Sequence, residues 1–128
     1  MEIKFYVCPT CGNIVAKVTD SGVPVFCCGK KMEELIPNTV EASAEKHLPV
    51  IKREGNKVTV TVGSVAHPMA AEHHIAWIVL RTKTGNQRKE LAVGSAPEAC
   101  FSICEGDEVT EAYAYCNLHG LWKSAADN

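Results

Sequence analysis

Lys57-Val58-Thr59-Val60-Thr61-Val62 alternates polar and apolar side chains without a break. A period of two puts the valines on one face of an extended strand, so this stretch reads as half-buried β-structure. Working outward, Ile75 to Arg81, Lys89 to Val93, Phe101 to Cys104 and Val109 to Tyr115 also read as strands. Turn signals separate them at Glu54-Gly55-Asn56, Thr84-Gly85-Asn86 and Glu105-Gly106-Asp107. Short strands at this spacing predict an antiparallel β-sandwich. No stretch carries a sustained helical period, so the chain is expected to be all-β. Pro37-Asn38-Thr39-Val40 reads as a short linker, dividing residues 1–36 from a sandwich over 37–128.

Composition narrows the function. The 128 residues are 46% hydrophobic and 22% charged, ordinary for one globular domain with a small appendage. A net charge of -2 gives no bulk attraction to nucleic acid or to anionic membranes. The longest apolar run, Ile75 to Leu80, is too short to cross a bilayer. Met1-Glu2-Ile3-Lys4 does not begin a secretory signal, and the expectation is a cytoplasmic protein. In that compartment seven cysteines point to metal ligation or redox chemistry rather than disulfides.

Four of those cysteines lie in the first thirty-six residues. Cys8-Pro9-Thr10-Cys11-Gly12 is a Cys-x-x-Cys knuckle, and Cys27-Cys28-Gly29 follows a loop containing Gly22 and Pro24. Four thiols this close specify a tetrahedral S4 site, for which iron and zinc are both candidates. The segment is too short to bury a sufficient core, so a metal would be needed to fold it. The adjacent pair is unlike a zinc ribbon. Neighbouring strand residues point to opposite faces, so one metal can take both sulfurs only if the backbone there is irregular.

The second ligand set is Cys116-Asn117-Leu118-His119-Gly120 with the upstream histidines His47, His67, His73 and His74. One thiolate among several imidazoles suits a redox transition metal, iron or copper, more than structural zinc. The bland alternative makes Cys116 a small buried hydrophobe and the histidines scattered. His73 and His74 would point opposite ways in a strand, so only one can be a ligand, and the six-residue step from His67 favours His73.

These pieces, in this order, resemble desulfoferrodoxin, the two-iron form of superoxide reductase. The matching motifs are Cys8-x-x-Cys11 with Cys27-Cys28, Glu45-Lys46-His47-x-Pro49, Gly63-Ser64-Val65-Ala66-His67-Pro68-Met69, His73-x-Ile75-x-Trp77-Ile78 and Cys116-Asn117-Leu118-His119-Gly120. The resemblance implies a desulforedoxin-like Fe(Cys)4 domain over 1–36, holding iron on Cys8, Cys11, Cys27 and Cys28. It implies an immunoglobulin-like β-sandwich over 37–128 carrying the catalytic iron, with His47, His67, His73 and His119 equatorial and Cys116 axial. An open sixth position would take superoxide, reduce it by one electron and release hydrogen peroxide. Lys46 would attract the anion and Glu45 would act as a reversible carboxylate lid. Rubredoxin or a similar donor would resupply electrons, and the chain would be a homodimer.

Three features depart from the family pattern. Ala70-Ala71-Glu72 and Ala76 stand where charged residues are usual, which thins the charge near the second site. His74 occupies a position that is usually aromatic. Cys100 and Cys104 match no ligand; in one extended strand they would share a face roughly 13 Å apart, too far for a disulfide, and they read as unpaired thiols. Two readings compete with the enzyme: a two-iron electron carrier that binds no substrate, and a zinc-stabilised sandwich acting as a binding module. Colour separates the last, since ferric-thiolate centres absorb visible light and zinc does not.

Overall fold

The alternation over Lys57–Val62 becomes a strand whose three valines are fully buried while Lys57, Thr59 and Thr61 are not. A computed structural model describes residues 2–126 and divides the chain into two compact units, Met1–Ile36 and Pro37–Asn128. The first unit holds five short strands: β1 (Phe5–Val7), β2 (Ile14–Ala16), β3 (Phe26–Cys27), β4 (Lys30–Lys31) and β5 (Glu33–Leu35). They form an antiparallel sheet in the order β2-β1-β5 and a separate β3-β4 hairpin. Its only buried residues, among those described, are Phe5, Cys8 and Met32.

The second unit is an antiparallel sandwich of three strands against four, the strand count of an immunoglobulin constant-type fold. One sheet orders β10 (Glu98–Ser102), β7 (Lys57–Val62) and β6 (Pro49–Glu54). The other orders β12 (Gly120–Ala125), β11 (Val109–Cys116), β8 (Ile75–Thr82) and β9 (Asn86–Glu90). Val58, Val60, Val62, Ala99 and Phe101 from the first sheet meet Ile78, Leu80, Ala112 and Ala114 from the second. Cys116 closes the inward row Ala112, Ala114, Cys116 and is itself fully buried.

The structure shifts several expected elements. The edge strand lies at Asn86–Glu90 rather than Lys89–Val93, and all five of its residues are exposed, so it has no alternation to read. β10 ends at Ser102, which leaves Cys104 in the following turn rather than on one strand with Cys100; both thiols are exposed and free. β6 begins on a proline and ends Lys-Arg-Glu, a poor strand signature supported by pairing with β7. One four-residue helix, α1 (Ala44–His47), stands where no helix was expected, because a single turn is too short to show a period. Among the described residues no helix is long and apolar enough to cross a membrane.

Register places the second site. Along β11 and β8, Tyr115 pairs with Trp77 but Cys116 pairs with Ile75, so Ala76 is an extra residue opposite their junction. A bulge of this kind bends its strand and re-aims the neighbouring side chains.

Candidate metal centres

In the first unit the knuckle is built by local hydrogen bonds. The Gly12 amide donates to the Cys8 carbonyl at 3.0 Å, Gly12 turns through φ +81°, and the Cys11 amide points at the Cys8 sulfur at 3.4 Å. The Cys27-Cys28 pair has the irregular backbone that its adjacency demands: Cys28 sits at φ +53° and Gly29 at +73°. The sulfurs of Cys8, Cys11, Cys27 and Cys28 all lie within 4.8 Å of one another. Their charges interfere. The Cys11 backbone N–H lowers the Cys8 thiol to about 6, while the Cys11 and Cys8 side chains push Cys28 up to about 12. Four thiolates so close need a cation among them, and an S4 set fits iron or zinc.

In the sandwich unit four imidazoles form a square. Neighbouring rings are His47–His67 at 4.6 Å between centroids, His67–His73 at 4.6 Å, His73–His119 at 5.1 Å and His119–His47 at 4.9 Å. Neighbours stand nearly perpendicular, at 77° to 84°, whereas His47 and His73 face each other across the square at 6.3 Å. The donor atoms of His47, His67, His73 and Cys116 lie within 4.8 Å of one another. His119 is not in that mutual set but joins through its Nδ1, 3.1 Å from His47 Nε2 and 3.8 Å from the Cys116 sulfur.

Whether these nitrogens fit a metal can be tested on their other partners. His47 Nδ1–H donates to the Ser43 carbonyl and His67 Nδ1–H to the Pro68 carbonyl, each at 2.7 Å. A neutral ring has one proton, so both Nε2 atoms carry bare lone pairs, yet they lie 3.2 Å apart. Two acceptors at that distance repel unless a cation sits between them. Nitrogens bound at right angles, each about 2.1 Å from one ion, are about 3 Å apart. His73 Nε2 is buried with no hydrogen-bond partner. Burial also holds His47, His67 and His73 below the usual imidazole range, His67 at about 4, so the rings stay neutral as ligands must. The set fits a metal.

His74 turns away. Its ring donates to the Ala70 carbonyl at 3.1 Å, and its amide donates to Asn117 Oδ1 at 2.8 Å. Asn117 Nδ2 donates to the Glu72 carbonyl, so this one amide ties the Cys116–His119 loop to the loop bearing His73. Glu45 and Lys46 are exposed on α1, and the Lys46 charge is felt at both His47 and His73. The Glu45 carbonyl accepts the Val65 amide at 2.9 Å and the Ser64 hydroxyl at 3.2 Å, which pins α1 to the loop before His67.

A family model described as Desulfoferrodoxin matches residues 39–125. The chain belongs to the desulfoferrodoxin family. It is 45% identical over 123 residues to the desulfoferrodoxin of Syntrophotalea carbinolica, covering 96% of each chain. It is also 45% identical over 125 residues to that of Nitratidesulfovibrio vulgaris, covering 98% of each. The crystal structure of the superoxide reductase from Treponema pallidum superposes with a TM-score of 0.83 at 42% identity, covering 97% of this chain and 99% of that one. Such relatives support an oxidoreductase role for this desulfoferrodoxin family member. Sequence reading picked out the ligand residue types but assigned nothing to Trp122 or to the contacts of Asn117. Both act across long separations in the chain, and the only available signal was their place beside Cys116 and His119.

Proposed function

We propose that the chain is a superoxide reductase: superoxide takes one electron and two protons and leaves as hydrogen peroxide. The observation that supports this reading most is the square of four imidazoles beside one buried cysteine. His47, His67, His73, His119 and Cys116 would hold the catalytic iron, and Cys8, Cys11, Cys27 and Cys28 a second iron. Iron supplies the single electron when bound, its reactivity tuned by the thiolate. The protein's part is attraction, positioning and proton supply. The exposed ammonium of Lys46 raises the local concentration of a small anion although the chain is net acidic. Glu45, exposed beside it, serves as a carboxylate lid after turnover.

Rubredoxin or a similar small protein would return the electron. Exposed Val18, Val23, Phe26 and Ile36 in the first unit favour a homodimer that covers apolar surface. Seven cysteines, all free, suit the reducing cytoplasm. Metal analysis should find two irons per chain, and pulse radiolysis should show superoxide consumed with peroxide formed. Cys116→Ser should abolish the thiolate-to-iron absorption and largely stop reduction. A colourless zinc protein, or an iron protein inert to superoxide, would overturn the proposal.

A further inference from the structure

We propose that Trp122 is a positioning residue of the imidazole square, setting the plane of His47 and the electron density the metal sees through it. The inference rests on reading that square as an iron centre. The Trp122 indole stacks on the His47 ring, with centroids 4.9 Å apart and planes 29° from parallel. Its N–H donates to the His119 carbonyl at 3.1 Å, and the side chain is 4% exposed. On the sheet Trp122 pairs with Ala114 and Gly120 pairs with Cys116, so the indole is delivered by the hairpin that carries the thiolate. One side chain therefore touches two of the four imidazole-bearing segments, from residues 72 apart in the chain.

His47 needs this help. It comes from a single helical turn whose N-cap makes no side-chain hydrogen bond. Its Nδ1–H bond to Ser43 holds one edge of the ring through a single backbone acceptor. A flat indole against the ring face adds a second restraint and keeps the Nε2 lone pair aimed into the square. Partners that orient a ligating histidine are worth about 10–100-fold in metal affinity. The contact is also electronic. An indole face is electron-rich, and a metal-bound imidazole grows more electron-poor as the metal is oxidised. Stacking therefore favours the oxidised centre, and losing it raises the reduction potential.

Two substitutions of comparable bulk separate orientation from space filling. W122F keeps a flat ring over His47, whereas W122M has a bulk close to that of Phe without one. Both are prepared as full-length, iron-loaded protein. Three quantities are read: iron lost from the His-rich centre to a competing chelator, its midpoint potential by spectroelectrochemistry, and its ferric electron paramagnetic resonance line shape. W122M should hold iron about tenfold less tightly or worse in competition with the chelator, at a raised potential and with a broadened ferric signal. W122F should fall between W122M and the wild type on all three. A W122M protein that unfolds more easily but matches the wild type in potential and line shape means the indole is packing alone, and the inference is wrong. A wild-type chain that takes up no iron at these histidines sinks this inference together with the proposed function; an iron-loaded W122M like the wild type sinks this inference alone.

Discussion

Only a hydrogen atom fits as the side chain of Gly63. A Cβ there would lie 2.5 Å from the Glu45 carbonyl oxygen, the same oxygen that Val65 and Ser64 hold. Gly63→Ala should therefore cost about 1–3 kcal/mol in chemical denaturation and displace the turn bearing Lys46 and His47. Lys46→Ala tests the steering charge directly. It should slow the bimolecular reaction with superoxide by about tenfold and flatten its salt dependence. Glu45→Ala should leave that rate nearly unchanged and alter the ferric spectrum instead. Equal losses in both variants would mean that the turn matters only for holding His47. At this scale the sequence displayed donor types and their spacing. What it hid was the identity of each donor's other partner, such as Ser43 for His47 or Pro68 for His67, because those contacts exist only once the loops are folded.

Among the elements, β11 carries two different burdens on its two faces. Inward it ends in Cys116; outward it carries Glu111, 5% exposed, between Arg81 of β8 and Lys123 of β12. Tyr113 also donates to this carboxylate at 2.6 Å. Burial alone would raise the carboxyl, but the bonds from Tyr113, Arg81 and Lys123 together lower it below its usual range. A carboxyl lowered in the folded state contributes stability above its unfolded pKa and loses it as the pH falls through the folded one. Denaturation midpoints should therefore decline as the pH drops below about 4.3. Glu111→Gln should remove that part of the decline and cost on the order of 3 kcal/mol at neutral pH, by leaving two half-buried cations without their anion. Strands with one wet face, such as β7, were legible from their alternation. The exposed edge β9 and the proline-led β6 were not, since pairing rather than side-chain pattern determines them.

For the molecule as a whole, the two units depend on metal to different degrees. The first buries only Phe5, Cys8 and Met32 among its described residues, too little to hold a fold without its ion. Cys28→Ser should abolish the spectrum of the S4 centre and unfold residues 1–36, while the His-rich centre still reacts with superoxide. Loss of that reactivity would contradict the division of labour. The ligand separations carry a consequence for biosynthesis. Cys8 to Cys28 spans a short stretch, so an ion can meet all four sulfurs while the chain is still leaving the ribosome. His47 and His119 are 72 residues apart and meet only after both sheets have closed. The full ligand set therefore exists only once the sandwich has formed. Chains made under iron starvation should keep a protease-resistant sandwich and a protease-sensitive first unit, and iron added later should fill the His-rich centre with no change in the sandwich's circular dichroism.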